Sequence, residues 1–177
     1  MIWLFLKSKN MITIKLIRES YNQNGVFGTI HIKDNDLKKD MVIQTVERIQ
    51  VPEEWKKLSP TQRMKYCIPT GLYPMKWKFD VDLDLKFIIR GISTWQTMYF
   101  SGSNANEANV IKVGNEVTTS GYVRGGNLMM KELSDYIKAL MNIGSIPMMP
   151  KYGFFVLEIE NSPTYHEEEF SEEEEFF

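Results

Sequence analysis

Apolar and polar residues alternate along residues 11–19, where Ile12, Ile14 and Leu16 stand against Thr13, Lys15 and Ile17. A period of two is that of a strand with one buried face. Residues 25–32 alternate in the same way. Between the two runs lies Asn22-Gln23-Asn24-Gly25, and Asn and Gly are the residues that tolerate positive φ in tight turns. The pattern predicts a β-hairpin. Residues 41–49 predict a third strand through Val42, Ile43, Val46 and Ile49.

Residues 51–65 change character. Pro52-Glu53-Glu54-Trp55 and Ser59-Pro60-Thr61-Gln62 each put a proline at the start of a short helix, with acids or a capping serine beside it. Strands are predicted again over residues 73–79, 86–92, 94–100 and 110–113, with a polar loop at 101–106 and a glycine-bearing turn at 121–126. Leu128, Met129, Leu133, Tyr136, Ile137 and Leu140 follow helical spacing. They predict one long helix over 128–141, capped by Asn127 and stopped by Gly144. Pro147 and Pro150 mark a loop, and residues 154–159 predict the last strand. The expected class is α+β: a mostly antiparallel, barrel-like sheet with one long helix near 127–141.

A chain of 177 residues can bury one substantial core and leaves little for a second. The expected division is an N-terminal arm or extension at 1–10, a strand-rich domain at 11–161 and a tail at 162–177. Two readings of the first ten residues stand equal: an extra strand or docking arm, and an extension upstream of a start at Met11. Their apolar run is too short to span a membrane. Cys67 is the sole cysteine, so neither an internal disulfide nor a cysteine zinc cluster can form.

The net charge of -2 conceals a split between 21 Lys+Arg and 23 Asp+Glu. Glu167, Glu168, Glu169, Glu172, Glu173, Glu174 and Glu175 all follow Asn161, where no Lys or Arg occurs. The body to residue 161 thus carries 21 − 16 = +5 and the tail −7. Seven like charges repel, so the tail is expected to be disordered on its own. Phe170, Phe176 and Phe177 stand among those acids. Aromatic anchors in an acidic segment suit docking onto a basic, grooved partner better than they suit solubility alone.

Thr45-Val46-Glu47, then Ile68-Pro69-Thr70-Gly71-Leu72-Tyr73, then Val110-Ile111-Lys112-Val113-Gly114-Asn115, and finally the helix from Leu128 occur in that order. This ordered set, over roughly residues 12–160, resembles a family of small uncharacterised domains common in phage and prophage genomes. That family is in turn similar to L,D-transpeptidases, which use a histidine-activated cysteine thiolate to form an acyl-enzyme with a peptidoglycan stem. The resemblance puts the histidine position near Tyr99 and the cysteine position at Val110. Valine offers no nucleophile, and a phenol with a pKa near 10 is a poor base at neutral pH. No catalytic residue is therefore expected.

Other candidates are weaker. Cys67 with His31 is the only cysteine–histidine pairing outside the tail, and a free cysteine is usually a small buried hydrophobe. Asp80, Asp82 and Asp84 alternate as in a calcium loop, but Leu85 stands where glycine is needed and the closing glutamate is missing. A charged turn is the expectation, with no metal. Gly121-Tyr122-Val123-Arg124-Gly125-Gly126 lacks the Lys-Ser/Thr of a phosphate loop and reads as a plain turn. Lys65, Lys76, Lys78, Lys86 and Arg90 interleave with Tyr66, Trp77, Phe79 and Phe87, a pattern that can bind nucleic acid. With a modest body charge, a solvated strand face accounts for it better. His166 reads as a solvated tail residue.

No cofactor is expected. The resemblance implies a virion protein made in the bacterial cytoplasm: a structural component of the connector, ring or tail region of a tailed phage. The expected partners are virion proteins with basic surfaces and further copies of this chain, rather than membrane or nucleic acid. The competing expectations are a peptidoglycan enzyme with a rearranged site and a packaging factor associated with nucleic acid.

Overall fold

The computed structural model describes residues 12–32, 41–50, 52–79, 85–89, 98–104, 110–142 and 155–168. Its strands are β1 (Ile12–Asn22), β2 (Gly25–Ile32), β3 (Met41–Glu47), β4 (Gly71–Phe79), β5 (Leu85–Ile89), β6 (Met98–Ser101), β7 (Val110–Gly114), β8 (Glu116–Val117), β9 (Val123–Arg124) and β10 (Phe155–Glu167). The helices are α1 (Pro60–Arg63) and α2 (Gly126–Asn142), with a 3-10 turn at Trp55–Lys57. The class is mixed α+β, as the patterning predicts.

The hairpin forms where expected. Asn22 pairs with Gly25 across the Gln23-Asn24 turn, and Asn22 Oδ1 accepts from Asn24 N at 2.7 Å. The pairing order β1-β10-β4-β5-β6-β7-β3-β2 closes the sheet into a barrel, and β8 and β9 form a separate ribbon. Most neighbours are antiparallel, but β1–β10 and β6–β7 are parallel. Each of the eight barrel strands is paired on both sides among the described residues, so the barrel itself offers no open edge as a template for aggregation.

Alternation decides the two faces. Ile14 and Leu16 of β1, Ile30 and Ile32 of β2, and Ile43 of β3 are buried in one core with Ile111, Val113, Leu157 and Ile159. Helix α2 lies against β6 and β7 and adds Met129, Met130, Leu133 and Tyr136 to that core. Gly102 and Gly126 let the end of β6 and the start of α2 touch backbone to backbone, because a Cβ on either would overlap the other residue's main chain.

Several boundaries differ from expectation. The third strand ends at Glu47 rather than 49. The stretch at 121–126 is more than a turn, since Val123–Arg124 pairs with Glu116–Val117. Helix α2 begins at Gly126, so Asn127 is inside the first turn, and Gly125 O accepts the Met129 amide at 3.1 Å. Leu128 points outward and is exposed, whereas the next two residues face the core. The short helix near 60 forms, and Ser59 with Gln62 makes a reciprocal capping box; near 55 only the 3-10 turn forms, with no acid in its first turn.

The largest correction concerns the tail. Strand β10 runs to Glu167, well past the expected boundary at 161, and pairs with β1 through Ser20↔His166 and Tyr21↔Glu167. Between Arg18 and Ser20 the register shifts, so Glu19 on β1 faces the extra residues 162–165 on β10. Glutamates at the root of an acidic stretch are therefore part of the barrel wall. The calls on residues 1–10 and 80–84, and on Glu169, Phe170, Glu172, Glu173, Glu174, Glu175, Phe176 and Phe177, lie outside the described residues.

Candidate functional site

Tyr99 and Val110 are direct register partners on the parallel strands β6 and β7. The two positions that the resemblance assigns to a histidine and a cysteine are thus side by side. Val110 is 6% exposed and presents only methyl groups. A nucleophile is absent from that spot.

Cys67 and His31 lie toward opposite ends of β3: Cys67 beside Ile49, His31 paired with Val42. Cys67 is buried, and its amide donates to Ile49 O at 2.9 Å. His31 shares the outward face of β2 with Thr29, whose Oγ1 is 2.9 Å from the imidazole Nε2. The two do not form a dyad.

The first two fragments of the resemblance converge on a residue that patterning overlooked. Arg18 Nε donates to Glu47 Oε2 at 2.7 Å, and its Nη2 donates to Glu47 Oε1 at 2.8 Å and to Ile68 O at 2.6 Å. Both side chains are buried. Burial pulls the Arg18 pKa down, but the charge and hydrogen bonds of Glu47 outweigh it and hold the guanidinium firmly protonated. Tyr73 donates its hydroxyl to Pro69 O, and its pKa is pushed up to about 12, chiefly by burial. This bidentate pair ties β1, β3 and the approach to β4 at the barrel interior. Thr45 Oγ1, on the same face of β3 as Glu47, is buried with no hydrogen-bond partner. A signal for the pair exists in the sequence: Arg18 continues the inward series Ile14, Leu16, and Glu47 continues Met41, Ile43, Thr45. Opposite charges at two core-facing positions predict a mutual partner.

The predicted partner-binding residues enter the described structure only at their root. Glu168 N donates to Tyr21 O at 2.8 Å, and Ser20 Oγ donates to Glu168 Oε2 at 2.8 Å. Tyr165 leans on Tyr21 with ring centroids 5.1 Å apart and donates its hydroxyl to Gln50 Oε1 at 2.8 Å. Burial pushes the Tyr165 phenol well above its ordinary range. His166 is exposed, with Nδ1 2.8 Å from Thr164 O. Glu167 and Glu168 therefore belong to a clamped strand end, while the acids from Glu169 onward lie beyond it.

A cleft of about 180 Å³ opens beside that strand end, lined by Glu19, Phe27, Thr29, Gln44, Thr119 and Glu168 among others. Phe27, Thr29 and Gln44 occupy the outward positions of β2 and β3. Asn22 Nδ2 donates to Thr119 O at 2.8 Å, holding the loop after β8 against the hairpin turn.

Among the described residues, no group of three or more His, Cys, Asp or Glu is placed to hold a metal ion. Among them too, no helix is long and apolar enough to cross a membrane. Comparison of the chain with family profiles, curated proteins and solved structures finds no match.

Proposed function

We propose that this chain is a non-catalytic interaction component of a tailed-phage particle, acting in its connector, ring or tail region and docking on its neighbours through the Glu-rich terminal segment. The observation that carries the reading is the pairing of Tyr99 with Val110. An acyl-transfer site needs a thiolate and a base within hydrogen-bond reach. Here the positions are adjacent and one holds valine. The barrel is a closed scaffold, and the strand end at Glu167 delivers the acidic segment from one fixed point beside Tyr21. Such a segment attracts basic neighbours at long range and fixes register on contact.

The test is direct. Purified protein incubated with peptidoglycan, or with its stem peptides, is expected to give neither cleavage nor crosslinking by mass spectrometry. Turnover that vanishes in Cys67→Ala would establish a rearranged thiol site and overturn the reading.

A further inference from the structure

Past Ile159, strand β10 has one neighbour instead of two. Its pairing with β4 ends at Ile159↔Gly71, while its pairing with β1 goes on to Arg18↔Asn161. The ladder to β1 then stops, and resumes only at Ser20↔His166 and Tyr21↔Glu167. Residues 162–165 thus stand off the ladder, opposite the single residue Glu19. Their side-chain bonds turn back on the segment. Ser162 Oγ accepts from Thr164 N at 3.1 Å and lies 2.9 Å from Thr164 Oγ1, and His166 Nδ1 is 2.8 Å from Thr164 O. Pro163, Thr164, His166 and Glu167 are exposed.

Few contacts among the described residues fasten this stretch to the body. At its end, Glu168 N donates to Tyr21 O and Ser20 Oγ donates to Glu168 Oε2. In its middle, Tyr165 holds it through the ring of Tyr21 and through the 2.8 Å bond from its hydroxyl to Gln50 Oε1. A segment with exposed hydrogen bonds and little apolar burial opens at far lower cost than the core beside it. Next to the Tyr165–Gln50 bond lies a buried polar cluster. Gln50 follows Ile49, whose carbonyl accepts the Cys67 amide, and Arg18 Nη2 donates to the carbonyl of Ile68, the residue after Cys67. Cys67, only 4% exposed, therefore sits between Gln50 and the Arg18–Glu47 pair. Burial raises the Tyr165 pKa, and the neighbouring Cys67 raises it further, as befits a hydroxyl set against that cluster.

We infer that residues 162–168 form a strap that opens from β1 as a unit while the barrel stays folded, with Tyr165 as its latch and Gln50 as the catch. Asn161 marks the hinge, since the ladder to β1 is continuous up to it. Opening uncovers Cys67 and the near side of the Arg18–Glu47 pair. It also releases about 23 Å of extended chain, which lengthens the reach of whatever follows Glu168. The device needs no partner and is independent of the docking role proposed above.

Cys67 is the chain's sole cysteine, so its rate of labelling by an aromatic disulfide reagent reads the opening. In the full-length protein, labelling is expected to be slow and insensitive to urea below the unfolding transition, because release of so short a segment uncovers little surface. Gln50→Ala, which leaves every side chain of the strap in place, should speed it several-fold through one lost hydrogen bond. Tyr165→Phe should match Gln50→Ala. Tyr165→Ala, which removes both the bond and the ring contact, should speed labelling roughly 10- to 100-fold. Each rate is compared with the one that the variant's own urea stability allows, so that a merely destabilised barrel is told apart from an open strap. If Tyr165→Ala fails to fold, Gln50→Ala and Tyr165→Phe decide the matter, with faster hydrogen exchange at the Glu168 amide expected in both. Labelling that climbs with urea at the full unfolding slope would mean that the thiol is reached only by global unfolding, and the strap would be wrong. Equal labelling rates in the wild type and the variants would overturn it as well.

Discussion

Glu47→Ala is expected to lower folding stability by about 3–5 kcal/mol, the cost of leaving a buried charge without its partner. The guanidinium of Arg18 is enclosed by the barrel, and Glu47 supplies two of its three acceptors. Urea denaturation reads the loss as a fall in midpoint at unchanged slope. Glu47→Gln, which keeps one acceptor and loses the charge, should fall between wild type and alanine. Arg18→Met with Glu47→Leu should recover much of the loss, since buried pairs are often replaced by apolar residues at little net cost. Recovery stays incomplete because Ile68 O then loses its donor, worth about 1–3 kcal/mol for a buried group. A Glu47→Ala loss below about 1 kcal/mol would mean that water reaches the pair as it reaches surface ion pairs.

Phe100→Ala should be about as damaging, at roughly 3–5 kcal/mol, because it removes a large side chain from a packed core and leaves a cavity. Phe100 is 1% exposed on β6, pairs in register with Ile111 and shares the core with Met129 and Leu133 of α2. The same ring thus joins the parallel β6–β7 seam to the helix. A conservative Phe100→Leu should cost much less, since most of the volume is kept. If alanine at 100 is tolerated within about 1 kcal/mol, β6 is not seated in the barrel as described.

Much of this architecture is legible in the chain because burial on one face imposes period-two alternation. The hairpin of β1 and β2 needs only Ile14, Leu16, Ile30 and Ile32 on one parity and Asn-Gly chemistry between them. The parallel seam of β1 with β10 is not legible, because it depends on a partner more than 130 residues away and leaves no local pattern. The end of β10 is hidden for a related reason. Residues 160–168 carry no apolar alternation, yet Glu160, Asn161, His166 and Glu167 pair with β1, Glu168 N donates to Tyr21 O, and Tyr165 is held by Tyr21 and Gln50. Composition marked this stretch as tail, and hydrogen bonding makes it strand. The Arg18–Glu47 pair was encoded as two charges on inward parity, which reading each strand separately does not bring together.

The proposed docking of this chain into a particle through segment 169–177 is measured most directly by the protein's copy number in purified particles, by quantitative mass spectrometry. The account predicts a fixed, whole-number stoichiometry for the wild type and loss of the protein from particles when Glu169, Glu172, Glu173, Glu174 and Glu175 are replaced by Gln. Absence of the wild-type protein from particles, or equal incorporation of the two forms, would contradict it.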